Sequence, residues 1–439
     1  MARSQSLAIL ASAAIPAALA ATSGSFTALT FNVAGLPEIL QNNDVPGDKT
    51  ENTATIGQKF AEYDYDIIHV QEDFNYHATL YAADTHPYRT ATSGGVPFGS
   101  GLNTLSNFDW VDFTRVKWDT CSNASGSDCL TPKGFTFMRV KVDDGVWIDV
   151  YNLHTDAGTE DGDEAARTAN VQQVADYIDT WSTGNAVLVF GDTNSRYTRT
   201  ADNIALFTTQ NGLTDAWVQI EHAGTPPSTE LLCANPSTTD ACETVDKLFY
   251  RGSSLVSLTA TDFQYASTKF LQANGSILSD HNPILIDLAW SVDDVSLRQS
   301  DYFGGPHGTW FSDVPSLPSA ASPSAATLTL RGADRVDGIA IKLADGSSFT
   351  HGGTGGTESS LTLAAGEYVS SVKLCEGQYN DHTRIFYFEA TTSAGQTLST
   401  GATTSDCVTR TAPSGFGLVG FAGQDGDEVD QLALVWGKV

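Results

Sequence analysis

The chain has 439 residues, which is enough for two or three domains. Its hydrophobic fraction of 41% is typical of a soluble globular protein, but 52 acidic against 23 basic residues give a formal net charge of −29. Such a surface repels polyanions at long range and argues against a dedicated nucleic-acid-binding surface, although a bound cation can reverse the field locally at an active site.

Residues 1–20 are predicted to form a secretory signal peptide. Arg3 supplies a positive charge, Leu7 to Leu19 form an apolar alanine-rich run, and Ala18-Leu19-Ala20 fits a small-x-small cleavage pattern. The alternative is a buried alanine-rich helix, but the three features come in the order of an export signal. No later segment has the roughly 18 continuous apolar residues of a membrane-spanning helix. We therefore expect a secreted, extracellular protein without a transmembrane segment.

The six cysteines support export, because an even number in an oxidising compartment favours disulfides. Six cysteines allow about fifteen connectivities, and proximity along the chain favours one of them. The favoured pairs are Cys121–Cys129, Cys233–Cys242 and Cys375–Cys407. None has the Cys-x-x-Cys spacing of a zinc site. Two Asn-x-Ser triplets, at Asn123 and Asn274, predict glycosylation and fit secretion.

The first half of the chain alternates between strand and helix patterns. Alternation through Leu29, Phe31 and Val33 predicts a half-buried strand. Helical spacing is found from Ile56 to Tyr63 and again from Val171 to Trp181. Phe135 to Val142 and Val146 to Leu153 indicate a hairpin about Asp143-Asp144-Gly145. Hairpins mixed with crossover helices predict a mixed sheet covered by helices.

The pattern changes near Ser291. Ser316 to Ala326 is rich in Ser, Pro and Ala and is interpreted as a linker. Beyond it, short strands and glycine clusters without helical periodicity predict an all-β module that starts near Ser300. The expected strands are Leu328–Leu330, Gly338–Leu343, Tyr368–Leu374, Thr383–Ala390 and Gln431–Trp436. We therefore divide the mature chain into a first domain, residues 21–295, and a second domain, residues 296–439.

Six polar segments of the first domain stand at strand ends. Each one alone is typical of a turn, because Asn and Asp commonly follow strands. They are Thr30-Phe31-Asn32-Val33, Val70-Gln71-Glu72, Asn152-Leu153-His154, Gly191-Asp192-Thr193-Asn194, Val245-Asp246-Lys247-Leu248-Phe249 and Ser279-Asp280-His281. Their joint occurrence in one order indicates a functional site.

That order resembles the endonuclease/exonuclease/phosphatase superfamily, which includes pancreatic-type deoxyribonucleases, neutral sphingomyelinases and inositol polyphosphate 5-phosphatases. The resemblance runs from Phe26 to Trp290. It implies an α/β (α+β) four-layer sandwich, in which two mixed β-sheets are flanked by helices and the site lies at the ends of the central strands. It also implies a phosphoric ester hydrolase that depends on Mg²⁺ or Mn²⁺.

Candidate metal ligands follow from the preference of magnesium for oxygen atoms and for one or two carboxylates. Glu72 is the best single ligand, with the amide oxygen of Asn32 beside it, and the resemblance implies the same pair. Asp280 is expected to be a secondary ligand or an orienting group. The metal would neutralise charge on a phosphoryl oxygen and on the departing oxygen.

The remaining candidate catalytic residues have acid–base roles. Phosphoryl transfer requires positioning, charge stabilisation and a base for the attacking water. By resemblance, Asp192, oriented by Asn194, positions or deprotonates that water, and His281 is the second acid–base group. Asp246 resembles the carboxylate that holds the imidazole of His281 in one tautomer. His154 resembles the histidine that stabilises the phosphate and the leaving group. Either Asp192 or His281 could accept the proton.

Two departures from the family narrow the substrate. The Pro-x-Trp-Cys-Asp-Arg segment of inositol 5-phosphatases has no match, which disfavours a soluble inositol phosphate. A tyrosine equivalent to the one that repair nucleases use is not identifiable, which disfavours DNA repair. A phospholipid phosphodiester such as sphingomyelin is the favoured substrate, and a secreted nuclease or a phosphomonoesterase is the alternative. The sequence shows no exposed apolar hairpin for membrane insertion, and Gly94 to Leu105 is the least unsuitable segment for one.

The second domain resembles the jacalin-like lectin domain, from about Ser300 to Val439. The matching segments are Phe303-Gly304-Gly305-Pro306-His307-Gly308, His351-Gly352-Gly353-Thr354-Gly355-Gly356, Gly366-Glu367-Tyr368-Val369 and Leu418-Val419-Gly420-Phe421. Jacalin-like domains are three-sheet β-prisms that bind sugars with loops at one end.

The sugar loop by resemblance is Gly426-Asp427-Glu428-Val429-Asp430, with Gly305 as a further sugar contact. Asp430 can accept two sugar hydroxyls, the amides of Asp427 and Glu428 can donate, and Gly426 lets the backbone approach closely. The alternative is a solvated turn in a purely structural module. Some members also use a free N-terminal glycine made by cleavage, whereas here the domain start is internal.

Two classes of function follow. One is a secreted metallo-phosphoesterase that its lectin domain targets to carbohydrate. The other is a non-catalytic lectin with an inactive phosphoesterase-like domain. An inactive domain is expected to lose Glu72, Asp192 or His281, and all three are present. The sequence therefore favours the enzyme.

Overall fold

The computed structural model describes residues 21–40, 43–293, 295–317 and 324–439. The predicted signal peptide, residues 1–20, lies outside the described residues. Within those ranges, no helix has the length and apolar character needed to cross a bilayer.

The first domain consists of strands β1–β12 and helices α1–α5. Its strands are β1 Ser23–Asn32, β2 Ile67–Gln71, β3 Tyr88–Arg89, β4 Asn103–Ser106, β5 Trp110–Lys117, β6 Gly134–Asp143, β7 Val146–His154, β8 Ala186–Asp192, β9 Thr214–Asp215, β10 Asp246–Arg251, β11 Ser257–Tyr265 and β12 Ile284–Ser291. Its helices are α1 Lys49–Tyr63, α2 His77–Ala83, α3 Asp161–Trp181, α4 Leu206–Thr209 and α5 Ala216–Glu221.

These strands form two mixed sheets that pack face to face. The first has the order β11-β12-β1-β2-β4-β3, and β1 and β2 are its parallel pair. The second has the order β5-β6-β7-β8-β10-β9, with β7 and β8 parallel. His69 of β2 stacks on Phe190 of β8 with ring centroids 3.7 Å apart, so the central strands of the two sheets are in contact.

Helices cover the outer faces of both sheets. Helix α1 begins after Asp48, whose side chain accepts hydrogen bonds from the first amides of the helix. It buries Ile56 and Phe60 against the first sheet. Helix α3 buries Val171 and Ile178 against the second sheet. The predicted four-layer sandwich is confirmed, because apolar residues at helical spacing cover sheets whose residues are buried on both faces.

The second domain is a β-prism of antiparallel sheets, as predicted. Its sheets have the orders β13-β25-β24-β15 with β14 paired to β25, β18-β17-β16-β19, and β22-β21-β20-β23. Its strands are β13 Leu297–Gln299, β14 Phe303–Gly304, β15 Thr309–Ser312, β16 Ala325–Gly332, β17 Val336–Leu343, β18 Ser348–Gly352, β19 Thr357–Thr362, β20 Val369–Tyr379, β21 His382–Thr392, β22 Thr397–Gly401, β23 Asp406–Thr411, β24 Phe416–Asp425 and β25 Val429–Lys438.

The interpretation of Ser316 to Ala326 as a linker is wrong. The segment follows β15 and a short 3₁₀ helix, Val314–Ser316, and it leads into β16, so it connects two elements of the prism. The passage between domains is short, since β12 ends at Ser291 and β13 begins at Leu297. The boundary between residues 295 and 296 stays a prediction.

The three predicted disulfides are present: Cys121–Cys129, Cys233–Cys242 and Cys375–Cys407. The third joins directly opposed residues of β20 and β23 and therefore staples two strands of the prism. Asn123 and Asn274 are both exposed, so an attached glycan would meet no packing obstacle, and their glycosylation stays a prediction.

The prism packs on the end of the second sheet where β8 begins. Trp310 donates to the carbonyl of Thr183 at 3.3 Å, and its ring covers the guanidinium of Arg139 at 3.5 Å. Lys141 of β6 pairs with Asp301 at 2.7 Å. Strand β8 runs from this end towards the other end of the sandwich, about 20 Å away at the usual rise per residue.

Candidate active site

The predicted catalytic residues meet at the end of the sandwich opposite the prism. His154 and Asp192 are the last residues of the parallel strands β7 and β8 and are register partners. Asp246 is the first residue of β10, which runs antiparallel to β8, and it lies opposite Asp192. Asn32 ends β1 in the facing sheet. Residues far apart in sequence therefore converge because their strands end, or begin, at one edge.

A histidine between two carboxylates forms the centre of the site. His281 Nδ1 lies 2.9 Å from Asp246 Oδ2, and His281 Nε2 lies 3.7 Å from Asp192 Oδ2. Burial alone would lower the pKa of His281, but Asp246 and Asp192 together raise that pKa well above its usual value. The predicted orienting contact of Asp246 is therefore present, and the imidazolium form is stabilised by two carboxylates.

Asp192 is held by hydrogen bonds from two neighbours. The backbone amide of Asn194 donates to its Oδ1 at 3.0 Å, and the side-chain amide of Asn32 donates to its Oδ2 at 3.1 Å. Burial raises its pKa, but His281 and His154 outweigh burial and leave the pKa lowered. Asn194 thus orients Asp192 through its main chain, while its side chain donates to Thr155. Its φ of +45° is a left-handed conformation that few non-glycine residues adopt.

His154 is buried beside a lysine that the sequence analysis did not identify. His154 Nε2 lies 3.0 Å from Lys133 Nζ and 3.4 Å from Asp192 Oδ2. Burial first, and the charge of Lys133 second, lower the pKa of His154 to about 3. Lys133 also pairs with Asp128. The imidazole of His154 is therefore neutral at ordinary pH, and Lys133 supplies the positive charge at this wall.

Glu72 has the properties of a metal ligand. Its Oε2 is shielded from solvent and has no hydrogen-bond partner within the described part of the chain. Burial raises the pKa of its carboxyl group, and its backbone has a φ of +55°, a strained conformation for this residue type. A buried carboxylate oxygen without a partner is costly unless a cation satisfies it, so Glu72 fits a divalent ion.

Asn32 lies next to Glu72 but presents its other amide atom. Its Nδ2 donates to Glu72 Oε1 at 3.4 Å, whereas its Oδ1 accepts from the amide of Ala34 at 3.1 Å. The amide oxygen would need to rotate towards Glu72 to bind a metal. The proximity of Asn32 and Glu72 agrees with the predicted pair, and the ligand role of Asn32 stays a prediction.

Asp280 lies at the mouth of the site. It is exposed, and its Oδ2 accepts from the side chain of Asn43 at 3.0 Å. His281, next to it, has its ring turned inward to Asp246. Asp280 therefore contributes negative charge at the entrance, and a role as a secondary metal ligand stays a prediction.

An open cavity of about 500 Å³ connects these groups to solvent. Polar residues of the loop closed by Cys121–Cys129 form one wall, and apolar side chains of other loops form the rim. The catalytic and charged residues that line the cavity are Glu72, Asp128, Lys133, His154, Asp192, Asn194, Asp280 and His281. Asp246 lies behind His281, as expected for an orienting residue.

The predicted sugar loop is closed by ion pairs. Arg335 binds both carboxylate oxygens of Glu428, at 2.7 and 2.6 Å, and Arg384 pairs with Asp430. The side chain of Asp430 is only 2% exposed. A sugar hydroxyl could reach its carboxylate only if Arg384 moved. The sequence could not reveal these pairs, because Arg335, in the turn before β17, and Arg384, on β21, are both far from the loop in sequence.

The other predicted sugar contacts surround that carboxylate. Gly305 is buried, its amide donates to the carbonyl of Asp430 at 3.0 Å, and a Cβ there would lie 2.7 Å from Thr383. Gly426 and Asp427 are exposed at the tip of the turn. The structure therefore brings the predicted residues together, and their binding of a sugar stays a prediction.

Comparison with known proteins assigns the two domains to families. Residues 34–223 match the model of Endonuclease/Exonuclease/phosphatase family 2, and residues 300–435 match the Jacalin-like lectin domain. The sphingomyelinases of Mycobacterium tuberculosis and Mycobacterium bovis are 39% identical over 283 residues. That alignment covers 63% of this chain and 55% of theirs, so the chain spans about half the length of these curated relatives.

Solved structures resemble each domain separately. Sphingomyelinase C from Streptomyces griseocarneus is 18% identical with a TM-score of 0.43, covering 60% of this chain and 99% of that one. The mannose-binding jacalin-related lectin from Ananas comosus is 19% identical with a TM-score of 0.29, covering 33% and 99%. The chain therefore contains a region that matches the endonuclease/exonuclease/phosphatase family and is similar to sphingomyelinases, followed by a region that matches the jacalin-like lectin domain.

Proposed function

We propose that this protein is a secreted, Mg²⁺- or Mn²⁺-dependent phosphodiesterase that acts on a phospholipid such as sphingomyelin and is targeted by its carbohydrate-binding domain. The observation that carries the proposal is the convergence of Glu72, with its unpaired oxygen, on the group formed by Asp192 and His281. The likeness to sphingomyelinases supports the phospholipid class. Three disulfides support an extracellular location.

The geometry supports a water attack on phosphorus. Asp192, fixed by Asn32 and Asn194, positions the water and accepts its proton as the new P–O bond forms. The bond from phosphorus to the departing alcohol oxygen breaks, and His281 donates a proton to that oxygen from Nε2. Asp246 holds Nδ1 at 2.9 Å and so keeps Nε2 directed at the cavity.

Charge on the phosphoryl group is stabilised from two sides. Lys133 offers donors on one side of the cavity, and the neutral imidazole of His154 orients it by accepting a hydrogen bond from its Nζ at 3.0 Å. A divalent ion held by Glu72 would neutralise charge on the phosphoryl and departing oxygens from the other side. In this scheme Lys133 is a phosphate-binding residue in addition to those that the sequence predicted.

The test is an activity panel on the purified full chain with Mg²⁺. It should contain sphingomyelin, lysophospholipid, DNA, an inositol phosphate and a phosphomonoester, and each should also be assayed after chelation. We expect hydrolysis of the phospholipid diester, loss with chelator and recovery on adding Mg²⁺. If only DNA or the phosphomonoester is hydrolysed, that compound class takes the place of phospholipid as the assigned substrate. Activity that survives full chelation would overturn the metal mechanism.

Inactivity on every substrate in the panel, together with glycan binding, would favour the non-catalytic lectin. Glu72→Gln is the matched control for the hypothesis that the protein is an active enzyme. It removes the anionic ligand without changing side-chain volume, so activity that it abolishes cannot come from a contaminating hydrolase.

A further inference from the structure

A second concave site lies between the two domains, on the side of the prism that carries the sugar loop. We call it the interdomain cleft, and it has a volume of about 240 Å³. Both domains contribute groups that matter for its chemistry. They belong to Phe113, Thr114, Tyr177 and Trp181 of the first domain and to Gly308 and Gln424 of the prism.

Three half-buried aromatic side chains form the wall on the first domain. Tyr177 and Trp181 lie one turn apart on α3, and their rings stack with centroids 5.6 Å apart and an interplanar angle of 17°. Phe113 adds a third ring from β5. A sugar ring is apolar on its C–H face and polar at its edge, so half-exposed rings beside a few polar groups suit it. Thr114 and the exposed Gly308 supply such groups through a hydroxyl and the peptide backbone.

A β-bulge in the edge strand β5 shapes this wall. The pairing of β5 with β6 is interrupted between Val111 and Thr114, so Asp112 and Phe113 lie outside the regular ladder. Asp112 has a φ of +61°, a left-handed conformation that few residues other than glycine adopt. Edge bulges and strained residues are concentrated beside functional sites, where they redirect side chains. The bulge therefore directs Asp112 at the prism and Phe113 into the cleft.

Asp112 joins the cleft to the sugar loop. Its Oδ2 accepts from Gln424 Nε2 at 3.1 Å, and its Oδ1 accepts from Gln431 Nε2 at 2.9 Å. Gln424 lies shortly before the sugar loop, and Gln431 directly follows it. A Cβ at Gly308, which lines the cleft, would lie 2.7 Å from Asp430 Oδ2. The cleft therefore begins beside the carboxylate of the sugar loop.

We propose that the interdomain cleft binds one neutral hexose of a glycan whose neighbouring sugar occupies the sugar loop. The inference rests on the carbohydrate-binding role proposed for the prism and adds a subsite to it. Because the aromatic wall belongs to the first domain, neither domain contains this subsite alone. The phosphoesterase-like domain would thereby help to determine which glycans the lectin-like domain retains.

Size and charge restrict the ligand. The cleft is smaller than the roughly 300–1,000 Å³ of pockets that enclose drug-sized molecules, so it suits a single ring. The net charge of −29 opposes acidic sugars at long range and favours neutral ones. Asp430 in the sugar loop is already paired with Arg384, and an adjacent aromatic subsite would add contact area without breaking that pair.

The experiment measures, by calorimetry, binding of the full chain to neutral mannose- and galactose-containing oligosaccharides and to the methyl glycosides of their terminal sugars. Phe113→Ala removes part of the aromatic wall, and Thr114→Arg fills the cleft. Phe98→Ala is the matched control, because it removes an exposed phenylalanine side chain of the first domain that does not line the cleft. Thermal unfolding checks that each variant is folded.

We expect the wild type to bind the preferred oligosaccharide about tenfold more tightly than its methyl glycoside. Both test variants should lose that advantage and keep their affinity for the methyl glycoside, whereas Phe98→Ala should behave like the wild type. Saturation transfer from aromatic protons of the wild type to C–H protons of the second hexose provides a measurement that needs no variant. Equal affinity of the wild type for the two ligands, or test variants that match the control, would overturn the proposal.

The outcomes separate this subsite from the proposed function. If Asp430→Ala weakens sugar binding and neither test variant does, the carbohydrate-binding role stands and the interdomain subsite fails alone. If the test variants weaken it and Asp430→Ala does not, the cleft stands and the sugar-loop assignment fails. A wild type that binds no sugar refutes both. A glycoprotein bearing neutral N-glycans is the last probe: binding that depends on Phe113 but survives enzymatic removal of the glycans would identify a protein partner and overturn the proposal.

Discussion

The two ends of the second sheet use buried charge in opposite ways. At the prism end, the guanidinium of Arg139 is bound by Asp149 and Asp112 and covered by Trp310. At the catalytic end, Glu72 Oε2 and Asp246 Oδ1 are shielded from solvent and have no hydrogen-bond partner among the described residues. The guanidinium of Arg139 therefore finds its partners within the described part of the chain, whereas the two carboxylate oxygens at the catalytic end do not.

Buried charged groups that stabilise the fold have their partners within the chain, whereas those at the catalytic end lack some of theirs among the described residues. An unsatisfied buried group costs about 1–3 kcal/mol, and where several charged groups bear that cost at one end of a cavity, a ligand that satisfies them is a testable explanation. The sugar loop behaves like the prism end, because Glu428 and Asp430 are already paired with arginines. Under the proposed function, the catalytic end would accept a metal and a substrate without first breaking an ion pair, whereas a sugar would have to compete with ion pairs.

Arg139→Ala is expected to have the largest effect. It leaves Asp149, which is fully buried, without its cation, and removal of one partner of a buried ion pair costs about 3–5 kcal/mol. Denaturant unfolding of the full chain measures the loss. Arg335→Ala is the matched control, since its pair with Glu428 is partly exposed and is worth about 1 kcal/mol or less. If the two variants lose the same free energy of unfolding, the buried ion pairs of Arg139 contribute no more than a partly exposed pair, and the comparison fails.

Glu72→Gln should give the reverse result, with a large loss of activity and no loss of stability. Removing a buried, unpaired charge relieves desolvation, so the free energy of unfolding should stay the same or rise in chelator. Turnover should fall by about a hundredfold or more, because several kcal/mol of charge stabilisation are lost. Thermal unfolding with and without Mg²⁺ provides the second measurement: the ion should raise Tm of the wild type and not of the variant.

Much of this contrast could be anticipated from sequence, and part of it could not. Glu72, Asp192 and His281 stand at or near strand ends in an order that resembles a known family, and that resemblance predicted their convergence. Lys133 carries no such signal: it precedes β6 after a disulfide-closed loop, and only the fold places it against His154.

The prism shows the same limit. The Ser- and Thr-rich strands β18, β19, β22 and β23 were missed, because most of their side chains are exposed or half-buried. The buried strand β24 was missed as well, because its glycines interrupt the apolar pattern. The pairing of Arg384 with Asp430 depends on strands that meet only in the folded prism. Local pattern therefore predicts elements in which apolar residues recur regularly, and it cannot predict which charges meet.

Changes to the pair formed by Asp246 and His281 should have the next largest effect. Replacing either residue by Asn is expected to lower kcat by about a hundredfold, within the usual contribution of acid–base catalysis. The double variant should be little worse, because the two residues act as a unit. Steady-state kinetics of the three variants test this, and losses that multiply would mean that the two residues act separately.

The pH profile of Asp246→Asn tests the direction in which Asp246 shifts the pKa of His281. Asp246 helps to raise the pKa of His281 above its usual value, so the imidazolium persists to higher pH in the wild type. If that imidazolium donates the proton, activity falls as pH rises through the pKa. Asp246→Asn lowers the pKa and should move this falling limb to lower pH. An unmoved limb would assign the proton donor elsewhere.

Asp430→Ala should have the smallest effect on catalysis and a selective one on recognition. Loss of a charged hydrogen-bond acceptor is expected to weaken glycan binding by about tenfold or more, measured by calorimetry with mannosides and galactosides. Arg384→Ala is the informative partner variant, because it frees the Asp430 carboxylate and should strengthen binding if that carboxylate accepts sugar hydroxyls. Weaker binding by Arg384→Ala would identify the ion pair as a support of the loop instead of a competitor for the ligand.

The same Asp430→Ala variant should leave turnover of a water-soluble phosphodiester within about twofold of the wild type. The prism contacts the far end of β8, and the length of that strand separates it from Asp192 by about 20 Å, too far to alter the pocket directly. A truncated chain would be a poorer test, since deleting the prism uncovers Arg139 and confuses stability with catalysis. Turnover should fall only on glycan-bearing surfaces, where the lectin raises the local concentration of enzyme. An equal fall on the soluble substrate would show that the two ends of the sheet are coupled, against the separation on which this comparison rests.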